Sequence, residues 1–170
     1  LHCEDASRAR SILSELLQTG DERVQFEALL PLGHYQHPDD TEALATCLVD
    51  PPVLFRFALE ALIANQNPRA VPAIADAIRH RYEHSIMLGL KAIAQLGGPE
   101  AEATHIAYLR NRSEDIRETA ALGLVAVGTQ LGLRILTGLI NEGQRNGAFV
   151  TAAQALKERL GVTSGTLALV

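Results

Sequence analysis

Two imidazoles and two carboxylates fall within the eight residues of "GHYQHPDD", where His34, His37, Asp39 and Asp40 follow Gly33. Nitrogen and oxygen donors of this kind bind metal ions, and the same groups move protons. A second cluster, "RHRYEH", holds His80, Glu83 and His84, and His105 stands alone further along. Other chemistry has little to build on. No Ser/His/Asp order, phosphate-cradling glycine loop or matched pair of acids stands out, so no catalytic, cofactor or metal residue is assigned. Cys3 and Cys47 are too few for a disulfide framework or a thiolate zinc site, which leads us to expect a reducing, cytoplasmic setting.

Whether the histidines converge depends on the elements that carry them. Apolar residues make up 47% of the 170-residue chain, but aromatics only 4%, with no Trp. A core of Ala, Leu, Ile and Val without large rings favours closely packed helices over a sheet. The net charge of −5 and a pI near 5.7 argue against nucleic acid, whose binders present a basic face. The best apolar run, "AALGLVAV", is far short of the roughly 20 residues that span a bilayer, so no membrane partner is expected.

An internal repeat decides the fold class. The segments "VQFEALLPLGHYQHP", "LFRFALEALIANQNP", "SIMLGLKAIAQLGGP", "IRETAALGLVAVG" and "AFVTAAQALKERLG" align without gaps from Val24, Leu54, Ser85, Ile116 and Ala148. Their fifth residues are Ala28, Ala58, Gly89, Ala120 and Ala152; their ninth are Leu32, Leu62, Ile93, Leu124 and Leu156. A second column runs through Leu17, Leu48, Ile78, Leu109 and Leu139 at steps of 31, 30, 31 and 30. Four residues earlier stand Leu13, Leu44, Ile74, His105 and Ile135, on the same helical face. Each unit therefore reads as two amphipathic helices that cannot bury their apolar faces alone and must stack.

The periodicity predicts ten helices, over 5–18, 22–35, 39–49, 53–65, 69–80, 83–96, 100–110, 114–127, 130–141 and 147–160. They form one domain over 1–170: a half repeat at 5–19, repeats near 20–50, 51–80, 81–111 and 112–142, and a partial repeat at 143–170. Pro31 is expected to kink its helix, and the tail "GVTSGTLALV" to fray. The start at Leu1 and the unpaired leading helix suggest a piece of a longer chain.

Units of about 31 residues with the form "IRETAALGLVAVG" resemble HEAT repeats, in particular the short HEAT-like subtype first associated with phycobilisome lyases. Ile116, Arg117, Ala120, Leu124 and Gly128 carry the likeness, as do Pro68, Ala70, Val71 and Pro72 within Phe55 to Ile78. Gln25 and Ile86 replace the opening Arg in two units, so a regular Arg ladder is not expected. The resemblance implies an all-α, right-handed solenoid of antiparallel helix pairs, serving as a non-catalytic protein–protein interaction scaffold. Its partner would be another protein or another domain of the same full-length chain. The alternative it implies is a bilin-lyase-like or other cofactor-associated role. A di-iron HEAT-like family uses His-Glu dipeptides, and none occurs here. A DNA-repair class relies on aromatic and basic groove residues, which an acidic chain without Trp does not match.

The repeat also places the histidines. His37-Pro38 aligns with Asn67-Pro68 and Gly98-Pro99, the turn within a unit, where Asp39 and Asp40 are expected to cap the next helix. "RHRYEH" aligns with the connection between units, at the other edge of the stack, about 18 Å away across a helix of roughly 12 residues. The two clusters should not share an ion. His105 occupies an aliphatic column, and its plain reading is a buried, hydrogen-bonded histidine. The resemblance places second helices on a concave face, which implies partner contacts at Arg69, Asp76, His105, Tyr108 and Arg134.

Overall fold

The structure, a computed structural model, describes residues 2–49, 52–144 and 146–162. The expectation for the tail from Thr163 onward lies outside them. Among the described residues the chain is all α, with ten α-helices and no strand. These are α1 (His2–Thr19), α2 (Glu22–His34), α3 (Asp40–Thr46), α4 (Phe55–Asn65), α5 (Val71–Ile78), α6 (Glu83–Leu96), α7 (Pro99–Tyr108), α8 (Glu114–Val127), α9 (Gln130–Asn141) and α10 (Gly147–Arg159). The even-numbered helices pack side by side in one row, α2 on α4, α4 on α6, α6 on α8 and α8 on α10. The odd-numbered helices form a second row against them, and each also packs on the even-numbered helix that follows it. No described helix is long and apolar enough to cross a membrane.

The repeated columns are the core. Ala28, Ala58, Ala120 and Ala152 are buried together with Gly89, and so are Leu32, Leu62, Ile93, Leu124 and Leu156. The second-row column Leu17, Leu48, Ile78, Leu109 and Leu139 is buried along its whole length. Truncating such an aliphatic to Ala typically costs about 2–5 kcal/mol, so each column is a line of strong local constraints. Helix starts are fixed separately: the Asp21 carboxylate accepts from the amides of Arg23 and Val24, and Asn146 accepts from that of Phe149.

Several second-row helices are shorter than their periodicity. Residues 68–70 form a 3-10 turn, and the α-helix begins only at Val71. Pro72 has no amide to bond the Pro68 carbonyl, which instead accepts from Val71 in the tighter i→i−3 pattern. A similar turn at 52–54 precedes α4, and α3 ends at Thr46, where Leu48 and Val49 continue in i→i−3 bonds. α2 runs through Pro31, which faces outward.

The turn within a unit recurs in backbone as well as in sequence. Gln36, Gln66 and Gly97 all have positive φ, at 51°, 57° and 68°, and each stands two residues before Pro38, Pro68 or Pro99. Asp39 and Asp40 do not cap α3. Asp39 is already in the helical region, with no side-chain cap bond, so its carboxylate does not reach the free amides. Asp40 is buried and reaches across to Arg10 of α1, at 3.3 Å.

The spacing of α2 and α4 is set by a glycine where their backbones meet. A Cβ on Gly33 would lie 3.0 Å from the Ala61 backbone and closer still to its carbonyl oxygen, whereas one on Gly138 would meet nothing within 4 Å. Gly33→Ala should therefore force α2 and α4 apart and cost about 1–3 kcal/mol. Gly138→Ala should instead stabilise by about 0.5–1 kcal/mol through helix propensity alone. Urea unfolding of the two variants against the parent checks both signs.

Candidate functional site

The second row carries the residues singled out as contacts. Asp76 on α5 is exposed and pairs with Arg79 at 2.7 Å. Tyr108 closes α7 and is half-buried; burial raises its phenol above the ordinary range, and the nearby charge of Arg79 opposes that rise. Asp76, Arg79 and Tyr108 thus share one neighbourhood where α5 packs on α7. Arg134 is exposed on α9, the next helix of the row. Arg69 is exposed in the 3-10 turn before α5, its amide bonded to the Asn67 side chain, at the far end of α5 from Arg79.

His105 does not belong to this surface. It is 0% exposed, sealed between α7 and α8, in a column that is also fully buried at Leu44 and Ile74. Neither ring nitrogen makes a well-formed hydrogen bond, and among the described residues the Ala120 backbone is the one polar group that interacts with the ring. Burial lowers its pKa from 6.5 to about 4, and the facing Ala120 backbone opposes that only in part. The ring is therefore neutral at pH 7, a polar group held in an apolar slot at a cost of order 1–3 kcal/mol per orphaned atom.

The slot has a visible cause. A Cβ on Gly123 would stand 2.5 Å from Nδ1 and 2.6 Å from Nε2 of His105, so only glycine leaves room for the imidazole. In the repeat alignment Gly123 takes the place of Ala61 and Ala92, and His105 takes the place of Leu44 and Ile74. Two columns depart together in one unit. That signal was present in the sequence, but without the contact it reads as two unrelated exceptions.

His34, His37, His80 and His84 do not gather into one site. His34 Nδ1 lies 2.7 Å from the Leu30 carbonyl, and His37 Nδ1 is 3.7 Å from Asp39. His80 and His84 are exposed, and α6 starts only at Glu83, so no helix joins them. Among the described residues, no three His, Cys, Asp or Glu side chains converge as metal ligands would. Cys47 is buried, which pushes its thiol up and away from the reactive thiolate.

Sequence reasoning missed a set of polar straps that tie each unit to the next. Glu102 accepts from the amides of Thr129 at 2.6 Å and Gly132 at 2.9 Å, capping α9 from the preceding unit. Arg81 donates to the Leu48 carbonyl at 2.5 Å and lies 4.2 Å over the Phe55 ring. Thr41 donates to Asn65 at 3.0 Å and accepts from Asn67 at 2.6 Å, while Asn65 donates to the His37 carbonyl. Arg117 fixes the carbonyls of Asn111 and Arg112, and Gln25 does the same for Leu17. Arg159 reaches the Gly128 carbonyl. No known family model matches the chain, and no curated protein matches it in sequence.

Two experiments test the buried histidine. Its folded pKa lies below its unfolded one, so its neutral-form stability is complete above pH 6.5 and falls as pH drops from 6.5 through about 4. The loss attributable to this group is about 3 kcal/mol at full protonation, from roughly 1.4 kcal/mol per unit. His105→Leu should flatten that part of the urea-unfolding pH profile. Gly123→Ala should destabilise by about 1–3 kcal/mol beside His105 and by much less in the His105→Leu background. That is a coupling of at least about 1 kcal/mol, read from a double-mutant cycle.

Proposed function

We propose that the protein is a non-catalytic interaction scaffold, a HEAT-like right-handed solenoid whose second-row helices form a concave face. What supports this reading is the complete burial of every repeated column but one. The exception is the Leu13 column, where Leu13 and Ile135 are partly covered at the two ends. Stacked units of this kind spend their apolar residues on neighbour contacts and leave an extended ridge of polar side chains for a partner. On that ridge stand Asp76, Arg79, Tyr108 and Arg134, with Arg69 at its edge. The mix of both charge signs with one half-buried tyrosine suits the loop or helix of another protein, or another domain of the same chain. Among the described residues, the group whose protonation is most strongly perturbed, His105, is sealed inside the stack and away from this face.

The test replaces Arg69, Asp76, Tyr108 and Arg134 together by Ala and compares capture of binding proteins from a lysate with that by the parent. The expected outcome is loss of a captured partner by about tenfold or more in affinity, with a melting temperature within a few degrees of the parent. Equal capture by both proteins would remove the function from this face.

A further inference from the structure

Of the five asparagines in the chain, Asn146 alone is followed by glycine; the others precede Gln66, Pro68, Arg112 and Glu142. The order matters because the backbone nitrogen of the next residue can attack an asparagine side chain, and a bulky neighbour obstructs that approach. Gly147 puts no side chain in the way. It opens α10, so its amide is among the first-turn donors that have no carbonyl partner inside the helix. Gly147 is also exposed, and a Cβ added to it would meet nothing within 4 Å. Water and hydroxide therefore reach the peptide bond that joins the two residues.

The Asn146 side chain has two structural tasks. Its Oδ1 accepts from the Phe149 amide at 2.9 Å and caps α10. Its Nδ2 donates to Glu118 Oε1 at 3.2 Å, which ties α10 to α8 of the preceding unit. An aspartate at 146 would perform the first task but not the second. It has no donor for Glu118, and it would set two carboxylates against one another. An isoaspartate, whose main chain runs through the former side chain, would displace the cap as well.

We infer that Asn146 is a site of spontaneous deamidation, and that its conversion releases α10 from Glu118. The Gly147 nitrogen gives up its proton and bonds to Asn146 Cγ, the Cγ–Nδ2 bond breaks, and ammonia leaves a succinimide ring. Water then opens the ring at either carbonyl to give aspartate or isoaspartate, and nothing is oxidised or reduced. With the cap closed, the amide is turned toward Phe149 and Glu118, so the attack proceeds from states in which the first turn of α10 has opened. The Glu118 bond therefore slows the very reaction that destroys it.

The test is incubation of the whole protein at mildly alkaline pH, followed by peptide mapping with detection of isoaspartate. Asn146 should convert more slowly than in a synthetic peptide of residues 143–151, and faster once Glu118→Ala removes the strap. Gly147→Ala, which has room for its methyl, should suppress the conversion in a folded protein. Asn146→Asp stands for the product and should lower the melting temperature by about 2–6 °C. Adding Glu118→Gln to that variant should recover most of the loss, because it supplies the missing donor. An Asn146 that stays intact while the peptide converts overturns the inference, as does an unchanged rate in Glu118→Ala. An Asn146→Asp variant as stable as the parent overturns the release of α10.

Discussion

Two helices come close only where a small residue leaves room for what faces it, and the stack depends on that condition at several points. Gly33 meets it between α2 and α4, against the Ala61 backbone itself. The small-residue column Ala28, Ala58, Gly89, Ala120 and Ala152 is buried throughout, and at Gly89 it makes room for Ile74 and Ile78 of α5 across the two rows. With the first row drawn together, the larger aliphatics one turn on, Leu32, Leu62, Ile93, Leu124 and Leu156, fill the space between the rows. Van der Waals packing of this kind is local. Each unit is stabilised by the units beside it, and the straps from Glu102, Arg81 and Arg159 add directional bonds across the same boundaries.

His105 is the point where this economy is broken. A neutral imidazole without a well-formed hydrogen bond replaces an aliphatic, and Gly123 gives up a methyl so that the ring fits. The pair weakens its unit twice, through desolvated nitrogens and through a glycine inside α8. Protonation of His105 as the pH falls therefore weakens the α7–α8 boundary. Neighbouring Tyr108 keeps its place on the surface, half-covered beside Arg79. The two residues that looked alike in sequence thus separate into one that shapes the interior and one that is available outside.

Much of the fold was legible because burial in stacked helices is periodic. A residue that must face the core in one unit must face it in all, so Leu17, Leu48, Ile78, Leu109 and Leu139 announce themselves by spacing. The turn was legible for a similar reason: proline at 38, 68 and 99 recurs where the chain must reverse, and positive φ two residues earlier recurs with it. The site was less legible. Asp40 looked like a helix cap and instead crosses to Arg10, because a cap depends on backbone angles that the letters Asp39-Asp40 do not specify.

By itself, the sequence determined the helix pairs, their number, the columns that form the core and the separation of the two histidine clusters, since each follows from local periodicity. Only the tertiary structure decided which exceptions belong together. That His105 lies against Gly123, that Glu102 caps a helix of the next unit, and that Phe26 meets Phe57 in the open are contacts between residues 18 to 31 positions apart in the chain. Such contacts depend on how closely the helices approach and how each is rotated, and that is set by the packing of all their neighbours together.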